Sequence, residues 1–226
     1  MFIILLTLCI FSSLIILYHR QKPLESIFQE DEAEVVTAEQ RGEELENEIV
    51  DFLSQLPGQF VLYKNFYIPL PQNKWTEIDV LMVHEKGIFV FESKNYTGDI
   101  YGTIHDSHWT KSFSETFDQR FYSPVRQNAT HIRALTALIG SVKPIYSVIV
   151  FGRDAAVHVD PMPADNTYIC KITQLVFLYD VLQALPSQIS VHALQTQLDP
   201  WQLTTEETKL EHVKNIKRTY GNKAIS

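Results

Sequence analysis

Two short runs constrain this chain more than any other feature: TEIDVLMV (76–83) and GIFVFESK (87–94), separated only by His84, Glu85 and Lys86. Both are dominated by β-branched and aromatic residues, so they read as neighbouring strands of a hairpin, with Gly87 supplying turn flexibility. Side chains alternate across a strand, which puts Glu92 and Lys94 on one face about 7 Å apart, behind Ile88 and Val90, while Phe91 and Ser93 point the other way. A carboxylate and an ammonium closing an otherwise apolar strand are costly unless they act together. Asp79, between Ile78 and Val80, is equally out of place. Paired as a hairpin, the two strands would let Asp79 and Glu92 converge on one hard cation.

Such a set has a chemical use. Phosphodiester hydrolysis builds negative charge on the phosphoryl oxygens and on the leaving oxygen. A carboxylate-held Mg²⁺ or Mn²⁺ neutralises that charge and lowers the pKa of bound water. Lys94, a compact point charge, can position or activate the attacking water. Asp79, Glu92 and Lys94 are thus a minimal kit for that reaction. The plainer reading of Glu92 and Lys94 is a surface ion pair on an edge strand, which would contribute little.

The rest of the chain sets bounds. At 226 residues and 45% hydrophobic content it can bury one good core with appendages. Residues 2–18 contain no charge and would span about 26 Å as a helix, close to the hydrocarbon thickness of a bilayer. Nothing basic precedes this run and no small-x-small site follows it, so an anchor is expected rather than a cleaved signal. Arg20 and Lys22 follow it directly, which by the positive-inside bias keeps the C-terminal body in the cytoplasm. Cys9 within the apolar run and Cys170 in TYICKI provide no disulfide framework. The net charge of −8 is local: residues 25–51 hold 11 acids against Arg41 alone, and 52–226 balance 16 acids with 16 bases. An acidic stretch at 20–36 reads as a solvated linker.

Leu45, Ile49, Phe52, Leu53 and Leu56 recur at helical spacing from a start near Thr37 and stop at Pro57-Gly58. QFVLYKNFYIPL reads as a strand, and residues 101–109 as one or two more. Ser123-Pro124 is an N-cap and N1 pair opening a helix through Val125, Ala129, Ile132, Leu135 and Ile139 to Gly140. YSVIVFG and YICKI read as buried strands, and residues near 173–185 and 204–219 as helices. The expected fold is α/β, a central mixed β-sheet flanked by helices, preceded by one N-terminal transmembrane helix (1–19). Walker A, GxGxxG and GxSxG patterns are absent from the sequence, which disfavours P-loop, dinucleotide-binding and nucleophile-elbow chemistry. His105 and His108 would point to opposite faces of a strand and fit a polar turn better than a zinc site.

TEIDVLMV followed by KGIFVFESKNYTGDIYG resembles the core of the nuclease-related domain (NERD), itself similar to the PD-(D/E)XK nucleases. Asp79 stands at the lone aspartate and Glu92-Ser93-Lys94 at the ExK element. RGEELENEI resembles the family's Gly-Glu helix, with Glu43 at its acidic position. SPVRQNATHIRAL resembles the Asn-Pro-x-x-Gln helix, with Gln127 at its glutamine and Ser123 where asparagine is usual. Val80 follows the aspartate where a polar residue is common. The resemblance runs from about Arg41 to Leu138. It implies a restriction-endonuclease-like core over 37–140, completed by strands and helices in 141–226. It also implies Mg²⁺- or Mn²⁺-dependent hydrolysis of nucleic acid, DNA in the first instance. Asp79 and Glu92 would be the metal ligands, Lys94 the water-positioning cation, Glu43 an outer acid and Gln127 an orienting group. The alternative is a catalytically silent interaction module on the same fold, which the electrically neutral body favours. Lys111, Arg120, Arg126 and Arg133 are candidates for a substrate groove; each also fits a solvated position.

Overall fold

Helix α1 (40–53) opens the computed structural model, which describes residues 40–72, 74–114, 117–141, 144–159 and 166–202. The expected anchor at 2–18, the acidic linker, the start of α1 near Thr37 and the helix at 204–219 lie outside the described residues. Among the described residues no helix is long and apolar enough to cross a membrane. Leu45, Ile49 and Leu53 repeat every four residues and form the buried stripe of α1.

Three strands follow, β1 (Phe60–Leu70), β2 (Lys74–His84) and β3 (Gly87–Lys94). They pair antiparallel in chain order. Then β4 (Gly98–Gly102), β5 (His108–Ser114) and β6 (Phe117–Tyr122) form an antiparallel meander. Helix α2 (Pro124–Ile139) leads on to β7 (Ile145–Phe151), which pairs parallel with β3. Parallel neighbours need a long crossover, and here the meander and α2 together supply it. The chain closes with β8 (Ala155–Val159), β9 (Thr167–Lys171), α3 (Phe177–Ala184) and α4 (Val191–Leu198).

The result is a mixed α/β fold with two mixed sheets, ordered β1-β2-β3-β7-β9 and β6-β5-β4-β8. Helices flank the five-stranded sheet as the sequence implied. Leu45, Ile49 and Leu53 of α1 pack on one face with Val80, Met82, Phe89 and Phe91, joined by Leu178 and Leu182 of α3. Leu135 and Ile139 of α2 and Leu194 of α4 cover the other with Ile78, Leu81, Ile88 and Val90. β3 and β7 are buried along nearly their whole lengths, which is why both read as continuous apolar runs. Ile100 and Trp109 of the second sheet pack with Ile149, Phe151 and Ile169 of the first.

Two local features differ from the sequence reading. Gly87 is a ladder residue paired with His84, not a flexible turn position. Glycine suits it because an added Cβ would fall 2.6 Å from Cε2 of Tyr146. The alternation of β1 and β2 is also broken at one place. Ile78 lies in the α2-side cluster but Val80 in the α1-side cluster, two residues apart that would share a face in a regular strand. Opposite this break, Asn65 of β1 takes φ 53°, and Tyr63 and Phe66 fall in the same cluster despite their odd spacing. Both strands therefore turn over together at Asn65 and Asp79.

Candidate active site

That break sets the geometry of the charged residues. The β2–β3 ladder ends at Val80↔Phe91, so Asp79 and Glu92 are the first residues past the point where the strands part. Asp79 fills the gap. Its Oδ2 accepts from Ser93 N at 2.7 Å and Ser93 Oγ at 2.8 Å, taking over the role of a missing ladder carbonyl. Both bonds fall on Oδ2, so Ser93 does not engage Oδ1.

Glu92 follows Ile88 and Val90 onto the α2 side of the sheet and is 0% exposed. Its two oxygens are held separately. Oε1 accepts from Lys94 Nζ at 2.5 Å, and Oε2 lies 3.0 Å from His131 Nε2. His131 in turn lies 2.6 Å from Thr76 Oγ1 through Nδ1. The Lys94 side chain is 18% exposed, so this ion pair is no solvated edge contact.

The electrostatics couple the three groups. Burial and the neighbouring charge of Glu92 push the Asp79 carboxyl well above the usual aspartate range, with Lys94 and the Ser93 N–H opposing the rise. Burial would also raise Glu92, but Lys94 and His131 outweigh it and leave that carboxyl below its ordinary value. Lys94 is raised despite its burial, because Glu92 and Asp79 both favour the ammonium. The site therefore gathers two carboxyl groups and one ammonium, and Asp79 is the carboxyl whose ionised form is least well compensated.

Hard oxygen donors of this kind suit Mg²⁺ or Mn²⁺. Asp79 Oδ1 lies outside the Ser93 bonds, while both oxygens of Glu92 are engaged, by Lys94 and by His131. Among the described residues no group of three or more His, Cys, Asp or Glu side chains is gathered for a metal ion.

The structure brings Asp79, Glu92 and Lys94 together and does not add Glu43 to them. Glu43 is 69% exposed and, among the described residues, reaches Lys64 alone, at 3.7 Å. Glu46, one turn later, is 16% exposed, lies 3.5 Å from Lys64 and contributes to the raised pKa of Asp79. Its own carboxyl is raised, first by burial and then by Glu77, against the pull of Lys64. Its signal in sequence is position, three residues before the buried Ile49.

On α2 the Ser123 N-cap and Pro124 stand as expected, with Ser123 Oγ facing the Arg126 N–H at 3.5 Å. Gln127 is half-buried in the first turn. The α2 side chains bonded to β3 are Asn128, whose Nδ2 donates to Val90 O at 2.8 Å and to Ser147 Oγ at 2.9 Å, and His131. Both are buried. They occupy the stripe 128-131-135-139, and a polar residue at such positions was the signal available in the sequence.

The flanking cations are placed individually. Lys111 lies 4.3 Å from the centroid of the Tyr96 ring, two residues beyond Lys94. Arg126 ties down the 103–107 turn through the carbonyls of His105 and Asp106. Arg120 is exposed on β6, and Arg133 donates to Thr130. His105 belongs to that polar turn, in which Thr103 N donates to Asp106.

Comparison with known proteins bears on residues 41–152, which match the family model of the nuclease-related domain. An uncharacterized protein from Bacillus anthracis is 32% identical over 112 residues, covering 49% of this chain and 52% of that protein. The chain thus spans about half the length of the curated relative it matches. No solved structure matches it. Over residues 41–152, just under half of its length, this chain is similar to the nuclease-related domain family, NERD.

Proposed function

We propose that this chain is a membrane-tethered, Mg²⁺- or Mn²⁺-dependent nuclease on a restriction-endonuclease-like core, acting on DNA phosphodiesters. The observation that carries the reading is the placing of Asp79, Glu92 and Lys94 at the parting of β2 and β3, with Asp79 held by Ser93 and Glu92 by Lys94. The match of residues 41–152 to the nuclease-related domain supports nucleic acid as the substrate class. A tether through residues 2–18 rests on their uninterrupted apolar character, and a cytoplasmic body on Arg20 and Lys22.

Asp79 and Glu92 would hold the metal ion, which supplies neutralisation of phosphoryl charge and a more acidic bound water. Lys94 keeps its proton, because two carboxylates favour the ammonium. It therefore orients the attacking water and offsets developing negative charge rather than serving as a base. Ser93 fixes Asp79 through two bonds to one oxygen. Glu46 takes the part of the outer helix acid in place of Glu43. Gln127, half-buried in the first turn of α2, is assigned to orienting substrate or water.

The test compares the full chain with Asp79→Ala and Lys94→Ala on supercoiled DNA, with Mg²⁺, Mn²⁺ or EDTA. Metal-dependent nicking by the parent protein and at least about a 100-fold loss in both variants is expected. Equal nicking by all three would expose a contaminant and remove the support for catalysis. Neither binding nor cleavage by any of them would favour the silent module, the reading to which the electrically neutral body from residue 52 onward lends weight.

A further inference from the structure

The hydrogen bonds around Glu92 assign a role to two residues outside the Asp79, Glu92 and Lys94 set. An ionised carboxylate can only accept, so at Glu92 Oε2 the donor must be His131 Nε2–H. In a neutral imidazole the other nitrogen is then an acceptor, and the partner 2.6 Å away at Nδ1 is the Thr76 hydroxyl, which must donate. Of the two neutral tautomers, only the Nε2–H form satisfies every atom in this chain. Thr76, His131 and Glu92 are all buried, so water is poorly placed to substitute for any of the three.

The connection also spans the right elements. Thr76 lies on β2 three residues before Asp79, His131 on α2, and Glu92 on β3. The terminal torsion of a glutamate is soft and its carboxylate turns readily. Here a ring gripped at both nitrogens pins Oε2, while Lys94 holds Oε1. Rotating the carboxylate away would strand the His131 N–H inside the protein. Outer partners of this kind orient the groups that do chemistry.

We propose that His131, with its tautomer set by Thr76, is a positioning residue that fixes the Glu92 carboxylate for the nuclease reaction proposed above, on which this inference rests. A histidine buried only to complete the packing makes a different demand: any well-packed replacement would serve.

Two isosteres separate these roles. In His131→Gln the amide nitrogen falls near the place of Nε2 and can still donate to Glu92; in His131→Asn it falls near Nδ1, can meet Thr76, and cannot reach Glu92. The full chain and both variants are compared in Mn²⁺ titration, kcat and KM on DNA, and thermal melting. For His131→Asn, kcat and Mn²⁺ affinity are expected to fall about 10- to 100-fold with KM little changed. His131→Gln is expected to recover most of the loss. Equal kinetics in the two variants, or losses that track melting temperature alone, would overturn the assignment.

A readout independent of turnover is the ¹⁵N spectrum of labelled imidazoles in the parent protein, Thr76→Val and Glu92→Gln. A single Nε2–H form of His131 that is disturbed in both variants supports the proposal, and a mixture of tautomers in the parent defeats it. If the parent neither binds Mn²⁺ nor cuts DNA, the nuclease reading fails by itself and this spectrum still decides whether His131 fixes Glu92.

Discussion

Burial and Glu92 both oppose the ionisation of Asp79. For a carboxyl raised on folding, the stability it contributes is complete below the unfolded pKa, near 3.8, and is lost as pH rises through the folded value. Asp79→Asn removes that loss while keeping an oxygen for Ser93. The variant is therefore expected to melt higher than the parent at neutral pH, by about 2–4 °C for each kcal/mol relieved, and to converge with it in acid. Thermal melts across pH check this, and a lower neutral melting temperature for the variant would refute it. Activity should be lost in the same protein, so that stability and function part company at one residue. Glu92 behaves oppositely. Lys94 and His131 compensate its burial, and removing either partner leaves a buried charge underpaired.

At the scale of elements, the bend in β1 and β2 decides where Asp79 points. Asn65 adopts φ 53°, a conformation that asparagine and glycine tolerate and β-branched residues resist. Asn65→Val is expected to destabilise by about 1–2 kcal/mol, and Asn65→Gly to be tolerated. Because the bend lies opposite Asp79, the valine variant should also lose nicking beyond what its stability explains, which assays well below its melting point would show. Helix α2 is the second decisive element. The sequence pattern suggested a stripe through Val125, Ala129, Ile132, Leu135 and Ile139; Leu135 and Ile139 are buried as expected, but Asn128 and His131 complete the buried stripe in place of the other three. The apolar residues at 125, 129 and 132 are only partly buried, and the helix is rotated to deliver two polar side chains to β3. Polar groups on a core-facing stripe are stable only when bonded, and neither Val90 O nor Glu92 is adjacent in sequence.

For the whole molecule, charge sets the expected mode of substrate binding. The net charge is −8, and the segment from 52 onward is balanced. With no net positive charge on that segment, few phosphate contacts are expected. The log–log slope of DNA affinity against salt is expected to be no steeper than about −3, which corresponds to some three neutralised phosphates. Titrations between 50 and 200 mM salt would measure it, and a slope near −8 would point to a basic surface outside the described residues. The sequence alone determined the apolar, doubly buried β3, the charged end carried by Glu92 and Lys94, and the core stripe of α1, because strand and helix periods are local properties of the chain. Tertiary structure decided the rest. It gathered the meander and β8 into a second sheet, turned β1 and β2 over at Asn65 and Asp79, and brought His131 of α2 into hydrogen-bond contact with Glu92. Periodicity gives the side of an element on which a residue lies, but which group meets it there depends on the rotation and docking of a partner distant in sequence.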